Sequence, residues 1–128
     1  MGPVLLVEIV TACVAFVCLV PLVALNVRRG AAIGRGEVRV PGWHLPVAVT
    51  LCACAVAHGA AAMAYASGAS VWAYVLGWCS LVAFVVAGGC MCPPLRGRLG
   101  ERGAFAWHMR LFLLGVALVV AHAVAGRI

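Results

Sequence analysis

Long apolar runs separated by short basic or glycine-rich stretches make up most of this chain. A helix rises about 1.5 Å per residue, so about 20 consecutive apolar residues cross the hydrocarbon of a bilayer. Four runs meet that length, and the pattern predicts helices over about 3–26, 43–66, 69–90 and 105–126. The expected fold is all-α: an integral membrane four-helix bundle forming one transmembrane domain over 1–128. The first run is expected to be a retained helix and not a cleaved signal, because its basic residues follow the apolar stretch.

Composition strengthens the membrane reading. Hydrophobic residues are 66% of the chain and charged ones 9%, against about half and about a quarter in soluble domains. The net charge of +6 comes from nine arginines and no lysines, offset by Glu8, Glu37 and Glu101. Basicity of that size could serve nucleic acid, but the arginines sit between apolar runs, and nucleic acid is not an expected partner. Arg28, Arg29, Arg35 and Arg39 lie in 27–42, and Arg96, Arg98 and Arg102 in 93–104, whereas the connector near Ser67 carries no charge. Arginine excess marks the cytoplasmic side, so both basic loops are expected inside and both termini outside. The topology is then up-down-up-down, with the second and fourth helices parallel. The expected location is a bacterial plasma membrane, with membrane lipid as the immediate partner.

The chemistry-bearing residues within these runs are cysteine and histidine. Cys13, Cys18, Cys52, Cys54 and Cys79 lie inside the runs, where cysteine serves as a small buried hydrophobe. Cys90 and Cys92 lie at a helix end, and Cys92-Pro93-Pro94 reads as a helix stop. The glycine-rich stretches form no nucleotide-binding fingerprint, and three scattered carboxylates offer no acid–base pair.

The histidines are ordered. WHLPVAVTLCACAVAH (43–58) and WHMRLFLLGVALVVAH (107–122) stand 64 residues apart in the chain and share their first two and last two residues. His44 and His58 are therefore fourteen residues apart, as are His108 and His122. At about 100° per residue, that spacing falls roughly 40° short of four turns, so each pair shares a helix face, about 21 Å apart along the axis. On parallel helices His44 and His108 fall at one depth, and His58 and His122 at another. Ionisable residues inside a span are costly and point to function. Imidazole is a common axial ligand of haem iron. Between the pairs, the same face carries Ala48, Leu51 and Ala55 on the second helix and Phe112, Gly115 and Val119 on the fourth. Gly115, seven residues from each histidine, would let a helix or a macrocycle approach closely.

This arrangement resembles the di-haem cytochrome b of quinol-oxidising complexes, and also the membrane ferric reductases. In those proteins two parallel helices each supply two histidines with thirteen residues between. The resemblance covers the four-helix core. It implies two b-type haems per chain, one held by His44 and His108 and the other by His58 and His122, with the four imidazoles as the iron's axial ligands. The chain is too short for the further helices or the flavin domain of those families, and no quinol-site motif stands out.

Arg39 and Arg110 near the inner level, and Arg127 near the outer end, are candidates to pair with haem propionates. Topological charge and interfacial anchoring account for Arg39 and Arg110 equally well. Glu8, the one acid within a run, could pair with Arg127, bond an outer histidine, carry a proton, or snorkel to the headgroups. The expected function is transmembrane electron transfer, alone or as a subunit of a larger redox complex, with a quinol or a redox subunit as partner. Its rivals are a non-redox scaffold or assembly subunit, whose histidines serve as interhelical hydrogen-bond partners, and a thiol–quinone oxidoreductase. Transition-metal binding by imidazole and thiolate is a further rival.

Overall fold

A computed structural model describes residues 2–32, 40–65 and 70–126. Those residues form four helices: α1 (Pro3–Ala32), α2 (His44–Tyr65), α3 (Val71–Cys90) and α4 (Pro93–Ala125). All four are long and apolar enough to cross a membrane. Exposed side chains agree with that reading. Phe16, Val17, Val71 and Trp72 are each more than 60% exposed, and among the described residues no large side chain is fully buried. Water would penalise such a surface at about 25 cal/mol per Å²; lipid does not. Four such helices mark an integral membrane protein.

The chain divides into two compact units, Met1–Tyr65 and Ala66–Ile128. In the first, α1 packs on α2, with Leu19, Leu22, Leu51 and Ala61 among the buried residues. In the second, α3 packs on α4. There the buried set is richer in small residues: Ala73, Ser80, Ala83, Ala87 and Ala104, with Leu81, Phe84 and Phe112. Small residues let two backbones approach in a medium where apolar burial between helices gains little.

Helix α3 starts cleanly because Ser70 caps it, its hydroxyl accepting from the Ala73 N–H at 3.3 Å. The same hydroxyl donates to the Ala125 carbonyl at 3.0 Å, joining the start of α3 to the end of α4. Helix α4 departs from expectation at its start. Hydropathy placed it near 105, whereas helical backbone begins at Pro93 and takes in Arg96, Arg98 and Arg102. Prolines at the first two positions suit a helix start, where the N–H is not needed. Hydropathy registers the span; backbone hydrogen bonding continues beyond it. The two parts of α4 meet at Gly100, whose φ of 70° and ψ of 160° interrupt the helix in a region essentially reserved for glycine.

Candidate functional site: histidine rungs on helix pairs

Beyond the Ser70–Ala125 bond, three further polar rungs cross the α3–α4 seam. His122 Nδ1 lies 2.7 Å from the Ala73 carbonyl oxygen, and His108 Nδ1 lies 2.8 Å from that of Ala87. Midway, the Ser80 hydroxyl donates to the Gly115 carbonyl at 2.9 Å. Along α3 the rungs fall at 73, 80 and 87; along α4 they fall at 122, 115 and 108. Both helices thus advance seven residues per rung, in opposite directions. That is the seam of an antiparallel pair packed on a heptad, in which the period of 3.5 keeps one stripe facing the partner.

A carbonyl can only accept, so each ring donates from Nδ1. In a neutral ring that donation leaves the lone pair on Nε2. Small residues make this reach practicable: Ala73, Ser80 and Ala87 are all buried, and none has a side chain large enough to hold the ring off the backbone. Gly77 does the same beside His122, since a Cβ there would stand 3.1 Å from Nδ1 and 3.2 Å from Cε1. Gly115 admits the aromatic ring of Phe84 from α3; a Cβ at this position would fall 2.6 Å from the ring. Phe84 also meets Phe112 at a centroid distance of 5.6 Å, in a tilted arrangement favoured by aromatic pairs. Gly115 therefore serves close helix approach, and the residue that uses the space is Phe84.

The α1–α2 unit repeats one rung. His58 Nδ1 lies 3.1 Å from the Glu8 main-chain oxygen, joining the first third of α1 to the last third of α2 as an antiparallel hairpin would. His58 is the repeat counterpart of His122, and each ring bonds a carbonyl near the start of the preceding helix. The Thr11 hydroxyl approaches the same Glu8 oxygen at 3.1 Å and donates to the Val7 carbonyl at 2.6 Å. Glu8 thus meets the histidine through its backbone and not its carboxylate. Carboxylate Oε2 is buried and has no hydrogen-bond partner among the described residues. His44 is half-buried and opens α2, its backbone N–H bonded to the Pro41 carbonyl at 3.0 Å.

The other expected site residues are placed as follows. Arg110 is exposed and its guanidinium stands 5.8 Å from the centre of the Trp107 ring, within cation–π range. Arg39 and Arg127 lie outside the described residues. All seven cysteines are unpaired thiols. Six of them lie within the four helices, and Cys92 caps the start of α4. Among the described residues, no three His, Cys, Asp or Glu side chains gather as a metal cluster.

Sequence reasoning found the histidines and missed what they hold. Ser80, Gly77 and Phe84 went unmarked, although a serine amid α3's apolar residues, flanked by Ala73, Gly77 and Ala87, is the small-residue signal of a membrane helix seam. No protein-family model, curated protein or solved structure matches this chain.

Proposed function

We propose that this chain is a small di-haem b-type cytochrome that carries electrons between the two faces of a membrane. His44 and His108 would hold one haem and His58 and His122 the other. The observation that carries the reading is the state of the imidazoles. His58, His108 and His122 each give Nδ1–H to a backbone carbonyl, the outer contact that orients a metal-binding histidine. The donor set is imidazole, a common axial ligand of haem iron. When bound, haem accepts and releases a single electron. The chain's own part is to fix tautomer and ring orientation from α1 and α3, and to exclude water with an apolar exterior. In this reading the helices run up-down-up-down with both termini outside and the arginine-rich segments on the cytoplasmic side of a bacterial plasma membrane. The electron donor and acceptor are then a quinol or a partner redox subunit.

The same hydrogen bonds favour one other reading. Imidazole rungs between helices also hold a bundle together, as in a non-redox scaffold, at about 0.6 kcal/mol for an average interhelical bond in a membrane and at most about 1.7. The two readings part in one experiment: a reduced-minus-oxidised spectrum with haem quantitation, on protein expressed with ample haem. The cytochrome reading expects two haems per chain, with His44→Ala and His58→Ala each losing one preferentially. His122→Gln sharpens the choice, because glutamine retains an N–H donor for the rung and makes a poor iron ligand. Loss of haem with the helices intact supports electron transfer. No Soret band in the unmodified protein would overturn it and leave the scaffold.

A further inference from the structure

The first ten residues of α4 do something that neither a span nor a plain loop requires. Thirty-three residues of helix would measure about 50 Å, against about 30 Å of hydrocarbon. One end must therefore leave the core, and the charged end is Pro93–Arg102. It directly follows the apolar helix α3, which ends at Cys90, so it starts at the headgroup level. Gly100 separates residues 93–99 from the apolar length of α4, with Glu101 and Arg102 just beyond the break.

Within this short helix the side chains are sorted. At about 100° per residue, Leu95 and Leu99 form one stripe, about 40° wide. Arg96 and Arg98 then flank that stripe at about 80° on either side, and Gly97 lies on the opposite face. Both leucines are about 40% exposed, and every residue from Cys92 to Arg102 is exposed. Arg96 pairs with Glu101, but that pair is itself exposed, and such pairs are worth about 0–1 kcal/mol. Positive-inside sorting asks only for arginines on one side of the membrane; it does not ask that they bracket two exposed leucines.

We infer that Pro93–Arg102 lies along the membrane surface and binds anionic phospholipid, with Leu95 and Leu99 entering the acyl boundary and Arg96, Arg98 and Arg102 meeting headgroup phosphates. The occupant follows from charge complementarity and from depth: three cations and one acid stand where headgroups are, beside apolar side chains that reach the first methylenes. Arginine supplies paired N–H donors to a phosphate. The inference is independent of the haems.

The test uses the full chain in detergent micelles, titrated with phosphatidylglycerol or phosphatidylcholine, with retained lipid counted by native mass spectrometry. Phosphatidylglycerol is expected to be retained at least about tenfold better, at about 1 kcal/mol or about fivefold per arginine engaged. The decisive variant exchanges neighbours, Gly97→Arg with Arg98→Gly. It keeps the charge and the topology signal but carries one cation to the face away from the leucines. Retention of phosphatidylglycerol should fall about fivefold. Unchanged retention, or equal retention of the two lipids, overturns the proposal. Displacement of phosphatidylglycerol by millimolar inorganic phosphate would also overturn it, by making free phosphate the ligand. If the exchanged variant does not fold, Arg98→Gln gives the same reading: a loss supports the lipid site and no change refutes it.

Discussion

Gly115 and Phe84 show how finely the α3–α4 seam is fitted. A methyl group at residue 115 would come within 2.6 Å of the Phe84 ring, closer than real Cβ contacts, so the ring or the helix has to shift. Overpacking of this kind costs about 1–3 kcal/mol. Gly115→Ala is expected to lower stability by that amount in denaturant titrations in detergent, and Phe84→Leu added to it should recover part of the loss. The coupling between the two sites is the informative quantity, since contacting residues deviate from additivity by about 0.5–3 kcal/mol. Strict additivity would mean that the ring does not occupy the space that glycine leaves. The histidines obey the same local logic. In the α3–α4 unit each ring meets a small residue, Ala73 where His122 arrives and Ala87 where His108 does.

At the scale of the element, α4 departs furthest from what hydropathy predicts, beginning at Pro93. Its arginines and glycines read as a loop, because hydropathy reports where lipid is and not where backbone hydrogen bonds form. The Gly100 interruption then separates a surface segment from a span within one continuous stretch of chain. Its positive φ with extended ψ is open to glycine and strained for any L side chain, by about 1–3 kcal/mol. Although nothing crowds a Cβ there, Gly100→Ala is expected to destabilise by that strain. Gly97→Ala, in the helical part of the same segment and equally uncrowded, should be neutral or slightly stabilising, since alanine favours helix by about 1 kcal/mol over glycine. Thermal unfolding of the two variants side by side checks the claim, and equal losses would defeat it.

For the whole molecule, two helix hairpins carry a shared device. In each, the second helix brings a histidine back to a carbonyl near the start of the first: His58 to Glu8, and His122 to Ala73. The 64-residue echo between 43–58 and 107–122 therefore extends to what two of the echoed residues do. The charge pattern gives a prediction at this scale. In a cysteine-free background, single cysteines at Arg35 and Arg98 should be labelled by a membrane-impermeant thiol reagent only after the cell is opened. One at Ser67 should be labelled in intact cells. The reverse pattern would invert the topology and place the lipid-binding segment on the opposite face.

The four apolar runs, the segregation of arginine between them and the fourteen-residue histidine spacing are legible in the sequence alone. These are properties of one helix at a time: length, charge and angle about a single axis. Only the tertiary structure shows what His58, His108 and His122 hold, that Ser80 supplies the middle rung, that Phe84 takes the space at Gly115, and that α4 begins at Pro93. A rung depends on the rotation and height of a second helix, and its acceptor is a backbone carbonyl, a group every residue carries and no sequence pattern marks.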